Sequence, residues 1–152
     1  MRLDWLGENR DVIEAIFYFS NTYAGYYRTP FKITEDIALS AAEIQVLEYL
    51  LENEEIQMNM AEIAHRLGVT PSRFTQITNK LSDMKLVEKY YQEGNKKNVI
   101  VLVSKKGKEV YHAYFSSLQE KWAEPVLKRL DAIPEEYKAE FAKVMKNLYV
   151  EN

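Results

Sequence analysis

The 152-residue chain has no cysteine. Disulfides, thiolate redox sensing, zinc–thiolate sites and a cysteine nucleophile are therefore excluded. Its two histidines, His65 and His112, lie far apart without companions at ligand spacing. They read as surface or boundary residues, so neither a metal site nor a cofactor is expected. No apolar run approaches the ~20 residues that a membrane span needs. The opening MRLDWLGENRDVIEA is interrupted by Asp4, Glu8, Asp11 and Glu14, unlike a secretory signal, so a cytoplasmic location is the expectation. A glycine-rich phosphate loop, a metal constellation and a nucleophile–base set are all missing, and nothing points to an enzyme.

What is present suits a folded unit. Hydrophobic residues make up 47% and charged residues 28%, which argues against disorder. The formal net charge of −3 conceals an asymmetry. Residues 61–110 hold 10 Lys and Arg against 5 Asp and Glu, while the flanks hold the other 10 basic residues and 18 acidic ones. A basic block between acidic flanks is the pattern of a polyanion-binding module carried on something else, although chance clustering of solvated charges gives the same count.

Helical signals dominate. Asp11 to Tyr27 is apolar or aromatic on nearly every side, so a buried helix is expected there, with a second chain helping to cover it. A loop with Pro30 as breaker follows. Ser40 and Glu43 form a capping-box pair ahead of Ile44, Leu47, Leu50 and Leu51 at helical spacing. Asn59 caps a short helix whose inward positions are Ile63, Ala64 and Leu67, and Gly68 ends it in a left-handed conformation. Thr70 then serves as N-cap and Pro71 as first helical residue. Two helices joined by so tight a turn make a helix-turn-helix.

The second of these helices, within GVTPSRFTQITNKL (Gly68–Leu81), has no Asp or Glu. At about 100° per residue, Phe74, Ile77, Leu81 and Met84 share one face. Ser72, Thr75, Gln76 and Asn79 fall opposite, with Arg73 and Lys80 at the side. Ordinary solvated faces carry Glu beside Lys. This one offers Gln and Asn for adenine edges, Arg for guanine, and cations for phosphates. Leu86–Gln92 and Asn98–Ser104 read as strands joined by the turn EGNKK, a hairpin with cations at its tip. A long helix follows, with a stripe of Val110, Tyr111, Tyr114, Phe115, Leu118 and Trp122, in which Pro125 interrupts or starts a continuation. Pro134 opens a last helix, whose apolar face is Phe141, Val144, Met145, Leu148 and Tyr149.

The segments LSAAEIQVLEYL, MAEIAHRLGVTPSRFTQITNKLSDMKLVEK and VIVLVSKKGKEV, in this order, resemble the multiple-antibiotic-resistance regulator (MarR) family of bacterial transcription factors. The resemblance implies a mainly α fold with a small β-hairpin wing. Residues 39–103 would form a winged helix-turn-helix DNA-binding domain, and residues 1–38 and 104–152 a helical dimerisation region. It also implies a homodimer on a pseudo-palindromic operator in double-stranded DNA, usually as a repressor released by a small aromatic or phenolic effector.

DNA contacts are expected from Thr70, Ser72, Arg73, Thr75, Gln76, Asn79 and Lys80, and from Asn95, Lys96 and Lys97 of the wing. Where the family's wing carries Asp-Arg-Arg, this chain has Asn-Lys-Lys. Lys lacks the planar fork suited to a narrow minor groove, so the wing is expected to add phosphate attraction and little base preference. Tyr23, Tyr26, Tyr27, Tyr111 and Tyr114 are the candidate effector residues; an aromatic-rich dimer core is the other reading of them. The competing function is a winged helix that docks a protein and binds DNA weakly without sequence preference.

Overall fold

The structure is a computed structural model that describes residues 4–56, 58–92 and 95–148; for residues 4, 92 and 95–98 it describes the backbone alone. The chain divides into two compact units, Met1–His112 and Ala113–Asn152. The first begins with a 3-10 segment, Asp4–Asn9, kinked at Gly7. There follow α1 (Arg10–Tyr27), β1 (Phe31–Lys32), β2 (Ala38–Leu39), α2 (Ala41–Glu52), α3 (Met60–Arg66), α4 (Pro71–Asp83), β3 (Val87–Gln92), β4 (Asn95–Val103) and the start of α5 (Lys105–Leu118). The second unit holds the end of α5, a π-helical turn at Gln119–Ala123, α6 (Glu124–Asp131) and α7 (Glu135–Lys146).

The helix starts follow from capping chemistry. At α2 the Glu43 carboxylate reaches back and accepts the Ser40 backbone N–H at 2.9 Å. At α3 the Asn59 side chain accepts the N–H groups of Ala61 and Glu62, each at 3.0 Å, and Glu62 completes a reciprocal box. At α4 the Thr70 hydroxyl accepts the Arg73 N–H at 3.2 Å, and Pro71 fills the first turn, where its missing N–H costs nothing. Each cap contributes about 1 kcal/mol.

Two helix ends share one geometry. Gly68 turns left-handed at φ 65°, and the Val69 N–H bonds back to the Ala64 carbonyl at 3.0 Å. After α4 the same reversal is made by Lys85 at φ 61°, with the Leu86 N–H on the Leu81 carbonyl at 2.9 Å. A Lys in this region carries a steric cost that Gly would not.

The core gathers Leu39, Leu47, Phe74, Leu81 and Leu86, all fully buried. Gly107, in the first turn of α5, lies against the β3 entry, where a Cβ would stand 2.1 Å from the Leu86 carbonyl oxygen. Close approach of two backbones, not a turn, requires glycine here. The Lys108 ammonium donates to both carboxylate oxygens of Glu54 at 2.9 Å and ties α5 to the residues just past α2.

Several expectations need correction. The segment with Pro30 is not all loop, because Phe31 pairs with Leu39 and Lys32 with Ala38. α1 forms as expected but has no buried residue; Phe17, Tyr18 and Phe19 are well exposed. The stripe expected to run regularly to Trp122 meets the π-helical turn, and Trp122 is 61% exposed. Pro125 sits in the first turn of α6, a continuation. The second wing strand starts at Asn95, so Lys96 and Lys97 lie in β4 and not in a turn. Tyr91 pairs with Val99 but Gln92 with Asn95, a shift that leaves 96–98 as a bulge. Glu93 and Gly94 of the expected turn, and Tyr149, lie outside the described residues. Among the described residues, no helix is long and apolar enough to cross a membrane.

Candidate nucleic-acid interface

α4 is amphipathic in the expected sense. Phe74, Ile77 and Leu81 are buried, and so is Thr78, whose hydroxyl donates to the Thr75 carbonyl at 3.1 Å. Thr70, Ser72, Arg73, Thr75, Gln76 and Asn79 are exposed on the other side. No carboxylate precedes Asp83 at the far end of the helix. The result is a surface of short donors and acceptors with little competing negative charge.

These side chains are not equally free. The Thr70 hydroxyl is engaged as the cap, and the Thr75 hydroxyl donates to the Pro71 carbonyl at 2.9 Å. Arg73 makes only a long bond, 3.5 Å, to the Gln76 side-chain oxygen, so both can re-orient toward a ligand. Asn79 accepts a hydrogen bond from the Lys89 ammonium. Lys80 leans away from this group and donates to Glu43 at 2.7 Å.

Lys89 stands beside the exposed α4 face, and sequence reasoning missed it. It lies on β3 two places after buried Val87, so strand alternation turns it to the same side, toward α4. That alternation was the available signal. Its bond to Asn79 joins the wing to the exposed face of α4. The side chains of Asn95, Lys96 and Lys97 lie outside the described residues.

A second cluster occupies α1 and α2. Tyr23 stands at its centre, with ring centroids 5.2 Å from Phe19, 6.0 Å from Tyr26 and 5.6 Å from Tyr27. Its hydroxyl accepts the Gln45 side-chain N–H at 2.7 Å. Tyr111 donates to the Glu48 carboxylate at 3.1 Å. Burial raises the Glu48 carboxyl pKa, and the Tyr111 bond only partly opposes it. Burial beside that carboxylate pushes the Tyr111 hydroxyl up to about 12. The Tyr23 hydroxyl is raised by burial and by its tyrosine neighbours, with Glu48 adding to the effect. The structure thus brings together Tyr23, Tyr26 and Tyr27, and sets Tyr111 on the same carboxylate that Tyr23 feels. Tyr114 belongs to the second unit. His65 and His112 are exposed. Among the described residues, no group of three or more His, Asp or Glu could hold a metal ion.

The model of the transcriptional regulator SarA/Rot family matches residues 31–114, more than half of the chain, from β1 through the wing into α5. This chain belongs to the SarA/Rot family of transcriptional regulators. The match covers the helix-turn-helix, the wing and Tyr111, and leaves α1 with Tyr23 outside it.

Solved structures place this SarA/Rot member in the fold of MarR-type regulators. The zinc-responsive MarR family member ZitR of Lactococcus lactis aligns with TM-score 0.59 at 17% identity, over 91% of this chain and 95% of its own. A MepR–DNA complex from S. aureus gives 0.59 at 20% identity, over 73% and 79%. A MepR-like protein complexed with pseudoligands gives 0.61 at 18%, over 91% and 92%. No curated protein matches the chain. The mainly α winged helix-turn-helix architecture implied by the sequence is therefore correct.

Proposed function

We propose that this SarA/Rot-family regulator is a repressor that binds double-stranded DNA as a homodimer. Each copy would set α4 in the major groove of one half of a pseudo-palindromic operator. The observation that carries this reading is the exposed face of Ser72, Arg73, Gln76 and Asn79, free of carboxylates and flanked by Lys89 of the wing. Arg73 and Gln76 supply the bidentate chemistry that separates guanine from adenine. Two-fold symmetry asks for half-sites about 34–36 Å apart. ZitR and MepR, with the same fold, have been solved in complex with DNA. Lys96 and Lys97 are proposed to add phosphate attraction.

The exposed apolar residues of α1, α6 and α7 support a homodimer, which a pseudo-palindromic operator would suit. Release by a small aromatic effector at Tyr23, Tyr26, Tyr27 and Tyr111 completes the proposal. Tyr111 and Glu48 set one hydrogen-bonded polar pair near these rings, so a small aromatic or phenolic molecule is the fitting class. A cytoplasmic site of action goes with this role.

Fluorescence anisotropy with duplex DNA from upstream of the gene, beside an unrelated duplex and across a salt series, tests the reading. Tight upstream binding with a steep salt slope and a wide margin over the control is expected. Equal and weak binding to both duplexes, insensitive to salt, would favour a protein partner on the α4 face instead.

A further inference from the structure

The carboxylate of Glu43 is buried, with its side chain 7% exposed, and both its oxygens are occupied. Oε2 accepts the Ser40 N–H at 2.9 Å, closing the first turn of α2. Oε1 accepts the Lys80 ammonium at 2.7 Å, from the last turns of α4. One side chain thus caps one helix and grips the other. Gln45 joins the same α2 to Tyr23 of α1, and Glu48 joins it to Tyr111 of α5. α2 is the member against which α4 is set.

We propose that Glu43 is a positioning residue for the recognition helix, and that Lys80 is its structural counter-ion and not a phosphate contact. The inference rests on the DNA-binding reading above and departs from the sequence expectation at Lys80. A buried carboxylate that loses its only cation is strongly disfavoured, whereas a phosphate contact at the surface is screened by water and salt. The Lys80 side chain is half exposed, yet its ammonium is held on buried Glu43. Moving it to a DNA phosphate would leave Glu43 with the Ser40 N–H alone. Among the described residues Arg73 meets no carboxylate, and it is the cation of α4 left for DNA. With Lys80 anchored, rotation of α4 about its own axis is resisted, and Ser72, Gln76 and Asn79 keep their outward direction.

The test is anisotropy on the upstream duplex, with the slope of log affinity against log salt as the readout that separates a phosphate contact, which moves it, from a residue acting through Glu43, which does not. Each neutralised phosphate contributes about 0.9 to that slope. Lys80→Gln is expected to lower affinity by roughly 2- to 30-fold, the range for residues that bias a site without touching its ligand, and to leave the slope unchanged. Arg73→Gln is the control and should flatten the slope by about 0.9. Glu43→Gln keeps an acceptor for the Ser40 N–H but releases Lys80; affinity should fall and the slope should hold or steepen. A flattening of about 0.9 in Lys80→Gln would overturn the proposal, because Lys80 would then be touching phosphate. Unchanged affinity in Glu43→Gln would overturn it as well, and that variant decides the matter if Lys80→Gln does not fold. Salt-insensitive binding by the unaltered protein would instead bring down the DNA reading itself.

Discussion

The middle of the chain and its ends are built on opposite terms. From Ile37 to Val110, helices and strands turn their apolar residues inward, and nearly all the buried hydrophobic residues lie there. α1, α6 and α7 have no buried residue, although they carry Phe17, Tyr18, Leu127, Tyr137 and Phe141. Their composition is that of core elements and their surroundings are those of a surface. The middle is explained by its own packing. The ends present faces that one copy of the chain leaves uncovered, which is the physical basis for the proposed homodimer.

The largest test of this contrast pairs two phenylalanines. Phe74→Ala, at a fully buried position, should destabilise the chain by about 3–5 kcal/mol in denaturant unfolding. Phe141→Ala, where the ring is half exposed, should cost under about 0.5 kcal/mol in dilute protein and act chiefly on self-association in sedimentation. Equal losses at both sites would erase the distinction. Next comes Gly107→Ala, whose new Cβ meets the Leu86 carbonyl oxygen. A cost of about 1–3 kcal/mol, read as a lower Tm, is expected, and an unchanged Tm would mean that α5 and β3 can part without penalty.

A smaller effect of opposite sign is expected at Lys85. Replacing it with Gly relieves the left-handed backbone, so stability should hold or rise by up to about 1 kcal/mol even though a charge is lost. The least effect belongs to Glu48. Its pKa is raised above the unfolded value of 4.5, so the native state holds the proton more tightly. That contribution is complete below the unfolded pKa and is lost as pH rises through the folded one. Glu48→Gln should therefore gain stability relative to the unaltered chain between pH 4 and pH 7, as followed by thermal melts across the range. A relative loss over that interval would show that the carboxylate is favoured when charged.

Legibility followed the range of the interaction. The starts of α2, α3 and α4 were readable because a cap and its hydrogen-bond partner lie within three residues, as Ser40 with Glu43 and Thr70 with Arg73. Gly68 was readable because glycine marks left-handed turns, and Lys85 was not because it makes the same turn without one. The pairing of Phe31–Lys32 with Ala38–Leu39 is too short to leave an alternating pattern. The outward residues of α4 followed from helical periodicity. The partners of two of them did not. Lys80 meets a carboxylate from another helix, and Asn79 meets an ammonium from a strand; only the fold brings those pairs together. Periodicity likewise assumed a regular α-helix through Gln119–Ala123, where one wider turn resets the phase.

The contiguity of the buried core has a kinetic consequence. Its members lie within one stretch of the chain, so they can meet without a second copy. The helix-turn-helix and wing would take shape in a unimolecular step whose rate is independent of concentration. In the proposed dimer, covering the ends is a second-order encounter that slows on dilution. A newly made chain would own a finished reading head before it owned a partner, and the cell could set its occupancy of paired half-sites simply through how many copies it makes.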